Sequence, residues 1–238
     1  MKAMILAAGI GKRLQPFTDK HPKALASVNG KSLLQRNILY LQRFGIKDVI
    51  INVHHFADQI IEAINQNHGW GSNIHISDES VALLETGGGL KKAAWYFADE
   101  ENFVLINVDV LTDMPLNDMI AFHLRQKPLA TLATTNREAS RYFLFDLDND
   151  LCGWKNVKTG ELKIIKDSGA FYEKAFSGIH LISTEIFSLI RQDGKFSMVD
   201  VYLDLLKGHS IKSFDHSGSK FIDVGKPESI VIADELFA

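Results

Sequence analysis

Short all-apolar runs alternate with amphipathic stretches through the first half of the chain. Ala3 to Leu6, Asp48 to Val53 and Phe103 to Ile106 read as buried strands. Leu33, Leu34, Ile38 and Leu41 recur at helical spacing up to Phe44, and Gly45 supplies a stop. Phe56 to Asn67 predicts a second helix with Ile60, Ile61 and Ile64 on one face. Asn73 to Ser77 alternates like a strand. Gly87 to Phe97 reads as a helix entered through glycines, and Leu116 to Arg125 as another. The segment from Gly9 to Pro22, with two glycines and two prolines, reads as a long loop. Repeated β-α units of this kind predict a mainly parallel sheet with helices on both faces.

The pattern changes near Lys127. Leu129 to Thr135, Arg141 to Leu147, Leu151 to Val157 and Ala175 to Ile182 read as strands separated by Asp, Asn and Gly turns. Helices are expected at Thr184 to Arg191 and Met198 to Leu206, late strands at Ile211 to Phe214 and Lys220 to Ile222. Pro227 to Phe237 reads as a closing helix, with proline in its first turn. No linker, repeat or low-complexity stretch divides the chain. The expectation is one domain over residues 1–238, with a nucleotide-binding half (about 1–126) and a β-rich half (about 127–238).

Composition narrows the function classes. A hydrophobic content of 46% over 238 residues is enough for a substantial core. The net charge of −3, with no basic stripe or aromatic ladder, argues against nucleic acid as a partner. The lone cysteine, Cys152, cannot form an internal disulfide. The apolar run at the N-terminus is too short for a secretory signal, and nothing approaches the roughly 20 apolar residues that span a bilayer. A cytoplasmic protein without membrane contact is expected. His54 and His55 are adjacent and would face opposite sides of a strand, so they cannot chelate one ion.

The chemistry concentrates where the first strand ends. Leu6, Ala7, Ala8, Gly9 and Gly11 form a loop of small residues whose backbone N–H groups could approach phosphate oxygens, and Lys12 and Arg13 follow at once. Pro22-Lys23 adds another cation. Two familiar phosphate loops do not fit. The dinucleotide fingerprint requires glycine where Leu14 stands and an acid after the second strand, which ends Asn52-Val53-His54. The Walker loop requires Ser or Thr where Arg13 stands. Asp109 follows the third buried strand, at the end where open α/β sheets bind ligands. Asp223 follows a late strand, and two carboxylates brought together there would suit Mg²⁺.

The run Met4 to Thr18, followed by Pro22-Lys23-Ala24-Leu25 and Val28-Asn29-Gly30-Lys31-Ser32-Leu33-Leu34, resembles the signature of the nucleoside-diphosphate-sugar pyrophosphorylases. Ser32 stands where that family usually has proline. The resemblance continues through Leu84 to Ala93, Ile106-Asn107-Val108-Asp109, Phe176-Ser177-Gly178-Ile179 and Ile222 to Glu228, and so covers nearly the whole chain. The Glu85-Thr86-Gly87-Gly88-Gly89 variant is most similar to the N-acetylmuramate-1-phosphate uridylyltransferases, followed by mannose- or heptose-1-phosphate guanylyltransferases.

The resemblance implies a glycosyltransferase-A-like fold, a Rossmann-like mixed sheet with a sugar-binding C-terminal half. It implies the Mg²⁺-assisted reaction of a nucleoside triphosphate, UTP or GTP by preference, with a sugar 1-phosphate, acting as monomer or homodimer. Arg13 and Lys23 are then the catalytic cations, and Asp109 and Asp223 the metal ligands. Leu6, Ala7, Ala8, Gly9, Gly11, Lys12, Thr86, Gly87 and Asn107 would contact the nucleotide, and Gly178 and Glu85 the sugar phosphate. Leu83 replaces a base-reading Gln of some members, and Val108 a Gly or Ala. The Glu-Lys-Pro motif of some relatives is missing, which leaves Lys163, Lys166 or Lys174 to meet the sugar phosphate. Two alternatives stay open: cytidylyl transfer to a phosphorylated alcohol such as phosphocholine, and a non-catalytic nucleotide-sugar sensor.

Overall fold

The apolar runs become the middle of a ten-stranded sheet in a computed structural model that describes residues 1–238. In chain order the first half comprises β1 (Ala3–Leu6), a small hairpin of β2 (Ser27–Val28) and β3 (Lys31–Ser32), α1 (Leu33–Arg43), β4 (Asp48–Val53), α2 (Ala57–Gln66), β5 (Asn73–Asp78), α3 (Glu85–Lys92), β6 (Asn102–Asn107), β7 (Val110–Thr112) and α4 (Leu116–Gln126). The second half comprises β8 (Ala130–Thr135), β9 (Arg141–Phe145), β10 (Leu151–Asn156), β11 (Glu161–Ile164), β12 (Tyr172–Ser183), α5 (Ile186–Leu189), α6 (Met198–Leu205), β13 (Ile211–Asp215), β14 (Phe221–Asp223) and α7 (Pro227–Leu236).

β1 is parallel to β4 and to β6, and β4 is parallel to β5. All four residues of β1 are buried, which is why it reads as a continuous apolar run rather than an alternating one. Ser32 caps α1 by accepting from the Gln35 backbone N–H at 3.1 Å, so the departure from proline creates a helix N-cap.

β12 joins the two halves. Its C-terminal part pairs antiparallel with β6, its middle with β8, and its first residues with β9. β9, β10 and β11 continue as an antiparallel wing. One apolar core packs α1, α2, α4 and α7 against the sheet, and a second packs α3 and α6 with the wing's Phe143 and Phe145. No helix is long and apolar enough to cross a membrane.

Three elements and the placement of one histidine pair depart from the sequence reading. The loop from Gly9 to Pro22 contains single 3₁₀ turns at Lys12–Leu14 and Phe17–Asp19. The expected helix from Gly87 begins at Glu85 and breaks after Lys92 into a 3₁₀ turn, Ala94–Phe97. The helix expected at 184–191 shrinks to Ile186–Leu189. Strand β4 ends at Val53, so His54 and His55 lie beyond it. Their rings meet the carbonyls of Glu79 and Thr18, at 2.7 and 3.4 Å respectively.

Candidate active site

The cleft is built first by how the chain leaves β1. The Ala7 N–H donates to Asn52 Oδ1 of β4 at 2.7 Å, and the loop then turns out of the sheet. Gly11 has φ +69°, and a Cβ there would fall 3.0 Å from both Lys23 Cβ and Thr18 Cγ2. Only glycine fits that conformation without strain. Thr18 closes the loop by donating its hydroxyl to the Gly11 carbonyl at 3.0 Å. Two 3₁₀ turns anchored by buried Leu14 and Ala24 carry Arg13 and Lys23.

The carboxylates come from the opposite wall. After β6 the chain corners through Val108 and Asp109 into β7. The buried Asn37 of α1 fixes that corner, its Nδ2 lying 2.9 Å from the Val108 carbonyl and 3.2 Å from that of Val110. β14 pairs with β7 so that Asp223 stands opposite Val110, and the Val224 N–H donates to the Asp109 carbonyl at 2.8 Å. This small sheet brings the two aspartates side by side. Lys23 Nζ donates to Asp109 Oδ2. Arg13 reaches over Gly225, where a Cβ would fall 2.7 Å from Asp223 Oδ1 and 2.8 Å from an Arg13 guanidinium nitrogen.

Burial, and then the charge of Asp109, push the Asp223 carboxyl above the usual carboxylate range; Lys23, Arg13 and Arg137 act in the opposite direction. Arg137 had no motif to mark it. It donates to the Phe176 carbonyl at 2.6 Å, lies 4.9 Å from the Phe221 ring centre, and buries its Nε without a partner. Two neighbouring carboxylates ringed by three cations have the chemistry to meet phosphate oxygens and a hard divalent cation.

The second glycine run proves to be a packing device. A Cβ on Gly87 would meet the Phe196 ring at 2.5 Å, and one on Gly88 would lie 2.2 Å from the Gly194 carbonyl oxygen. One on Gly89 would lie 2.6 Å from Glu79 Oε1. The three glycines let α3 lie directly on the 194–196 segment and on a buried Asn52–Glu79 pair. Glu85 opens α3 with φ +60° and pairs with Lys195 at 3.4 Å. Thr86 Oγ1 accepts from the Met198 N–H at 2.9 Å, which ties α3 to the start of α6.

A cleft of about 700 Å³ lies between these walls. Leu6, Ala8, Gly9, Gly11, Lys12, Arg13, Lys23, Glu85, Thr86, Asn107 and Asp109 line it, as does Leu83. Ala7, Gly87 and Asp223 are not part of the lining: the first two are buried, and Asp223 is exposed. Gly178 is also outside it, at φ +73°, with Asn107 and Val110 so close that a Cβ would fall 2.9 Å from the Asn107 amide nitrogen. It is the point where β12 shifts register against β8. Val108 is 4% exposed; it belongs to the core and also lines the cleft.

Of the three candidate lysines, Lys163 lines the cleft. Lys166 donates to the His209 carbonyl at 3.3 Å, and Lys174 is bound by Asn136 and Asp215. The β-rich half contributes Phe176, from a motif already noted, and residues that no motif announced: Arg141, Phe143, Trp154, His180 and Tyr202. His180 Nδ1 lies 2.7 Å from the Tyr202 hydroxyl, and burial lowers its pKa to about 3, so the ring is neutral.

The family described as nucleotidyl transferase matches residues 2–237. The D-glycero-alpha-D-manno-heptose 1-phosphate guanylyltransferase of Aneurinibacillus thermoaerophilus is 32% identical, over 96% of this chain and 94% of that protein. The N-acetylmuramate alpha-1-phosphate uridylyltransferase of Neisseria meningitidis serogroup B is 29% identical, over 94% and 93%. Among solved structures, HddC from Yersinia pseudotuberculosis complexed with GMP-PN superposes with a TM-score of 0.77 at 25% identity, covering 100% of this chain and 99% of that one.

Proposed function

This chain belongs to the nucleotidyl transferase family, and on that premise we propose that it makes a nucleoside-diphosphate sugar from a nucleoside triphosphate and a sugar 1-phosphate. In this reaction a phosphate oxygen of the sugar 1-phosphate attacks the nucleotide α-phosphorus. The bond from that phosphorus to the bridging oxygen breaks, and pyrophosphate leaves with the electron pair. The observation that carries the reading is the convergence of Asp109 and Asp223 with Arg13 and Lys23, three of which (Asp109, Arg13 and Lys23) line the cleft.

Each group has a distinct task. The Gly9–Gly11 loop and Lys12 receive the triphosphate, whose charge the backbone N–H groups and the ammonium offset. Arg13 and Lys23 stabilise the charge that builds on the α-phosphate and on departing pyrophosphate. No protein nucleophile is required. Asp109 and Asp223 are the residues to hold Mg²⁺: both are hard oxygen donors, and their mutual repulsion favours a divalent cation between them. When bound, the ion neutralises phosphate charge and holds the two substrates in line. Lys23, hydrogen-bonded to Asp109, orients that carboxylate and is positioned to reach a phosphate oxygen.

The named relatives transfer uridylyl or guanylyl groups to 1-phosphorylated sugars, which supports UTP or GTP as the nucleotide and the cytoplasm, where both are made, as the compartment. Lys163, which lines the cleft, is the lysine available to the acceptor. The test is pyrophosphate release over the four nucleoside triphosphates and a panel of sugar 1-phosphates, with and without Mg²⁺. Release that requires both substrates and the metal supports the reading and names base and sugar together. No release with any pair overturns it.

A further inference from the structure

The cleft has a second cationic end. On the wing, Arg141 stands opposite Asn156, Phe143 opposite Trp154, and Trp154 opposite Lys163. Residues directly opposite across antiparallel strands share a face, and Arg141, Phe143, Trp154 and Lys163 all turn theirs to the cleft. Phe143 and Lys163 are separated by two strand spacings, about 10 Å, so the wall is broad: an aromatic floor with a cation at two of its edges. Phe176 meets Phe143 edge-on, with ring centres 5.7 Å apart, and extends that floor.

These cations have no structural task comparable to those of the wing's other basic residues. The Arg141 guanidinium is exposed and makes no hydrogen bond or ion pair within the chain. Lys163 lies 5.6 Å from the Trp154 ring centre and 3.2 Å from Glu161, in a half-exposed pair of little energetic weight. Lys155 and Lys174, by contrast, are bound to Glu173 and to Asp215 with Asn136. The two cations also stand on a different part of the fold from the aspartates. Arg141 opens β9 and Lys163 lies on β11, whereas Asp109 follows β6 and Asp223 ends β14. A sugar ring on the aromatic floor would turn its further groups toward the wing cations while its 1-phosphate meets the aspartate end.

We propose that Arg141 and Lys163 form a subsite for a second anionic group, a carboxylate or a second phosphate, carried by the sugar ring of the acceptor. The subsite rests on the reading that this cleft takes a sugar 1-phosphate. It selects acidic sugars over neutral ones through charge-assisted hydrogen bonds from Arg141, with the ammonium of Lys163 adding a second positive charge.

The test is calorimetric binding, in Mg²⁺ and a non-hydrolysable UTP or GTP analogue, of glucose 1-phosphate, glucuronic acid 1-phosphate and glucose 1,6-bisphosphate. The proposal expects at least one acidic ligand to bind tenfold or more tightly than glucose 1-phosphate. Which of the two does so identifies the carboxylate or the phosphate as the group read. Arg141→Gln and Lys163→Gln, both exposed and checked for folding by circular dichroism, should each reduce the preference and together abolish it. Equal binding of all three, absence of binding by either acidic ligand, or a preference that survives both substitutions overturns the proposal. So does an equal loss of affinity for glucose 1-phosphate in the variants, which would assign these cations to the 1-phosphate. Pyrophosphate release, measured separately, reports on the underlying reaction, so either idea can fail without the other.

Discussion

Asn52 and Glu79 join the two glycine-rich segments: Asn52 Nδ2 donates to Glu79 Oε1 at 2.7 Å, and both residues are buried. From this pair, Asn52 Oδ1 receives the Ala7 N–H at the phosphate loop, and Glu79 Oε2 receives the Leu84 N–H at 3.1 Å before α3. Gly89 closes over it. Gly89→Ala should cost about 1–3 kcal/mol through overpacking. Glu79→Ala should cost a similar amount by stranding the Asn52 amide and the Leu84 N–H. Urea unfolding of both variants and the double mutant checks this, and less-than-additive losses in the double mutant would demonstrate the coupling.

Asp223 lies beside a like charge, so its removal should separate activity from stability. Asp223→Asn should lose at least about a hundredfold in turnover, the scale of losing a group that acts on transition-state charge. Its melting temperature should stay at or above that of the parent, because the amide relieves the repulsion from Asp109. Thermal unfolding without added metal, beside turnover in Mg²⁺, measures both. A variant with near-normal turnover would remove Asp223 from the metal site.

Gly225→Ala tests the placement of Asp223 and Arg13 without replacing either. The backbone of Gly225 is not in the left-handed region, so the cost of alanine is steric: its methyl group would crowd Asp223 Oδ1 and the Arg13 guanidinium. Displacing that group should cut turnover by about ten- to a hundredfold, the scale of a roughly 1 Å misplacement, while unfolding changes little. Steady-state kinetics should place the loss in kcat more than in the nucleotide KM.

Stability should fall in mild acid. Burial lowers His123 and His216 to pKa values of about 4. Each histidine protonates near pH 6.5 in the unfolded chain. The unfolded chain thus binds more protons between those values, so stability is complete above pH 6.5 and declines as pH falls toward 4. Each histidine contributes a slope of about 1.4 kcal/mol per pH unit within that window. Urea midpoints at pH 7 and pH 5 should differ accordingly. His123→Gln, which keeps an amide near Asn102 and Thr131, should shrink the difference.

The parallel core was legible because its strands are apolar on both faces and its helices keep a 3.6-residue period; Asp48–Val53 emerges with the expected bounds. The first loop was legible because phosphate recognition concentrates glycine and cations in a short stretch. What escaped lies in pairings between distant segments. β7 is three residues long and acquires its identity only from β14. Arg137 and Arg141 look like any surface arginine until the sheet sets one near Asp223 and the other at the cleft. The glycines of α3 have the pattern of a binding loop, and the structure adds a packing reason for them, the approach of Phe196, Gly194 and Glu79, which no local pattern records.

β12 runs unbroken from the acceptor wall to the strand that carries Asn107. The two halves of the cleft therefore share a backbone and cannot swing apart as separate bodies. Gly178 lies where the strand changes register, close against Asn107 and Val110. Side chains on the wing strands can consequently be exchanged without moving the carboxylates, so the fold can change which acceptor it takes while keeping its phosphate chemistry intact.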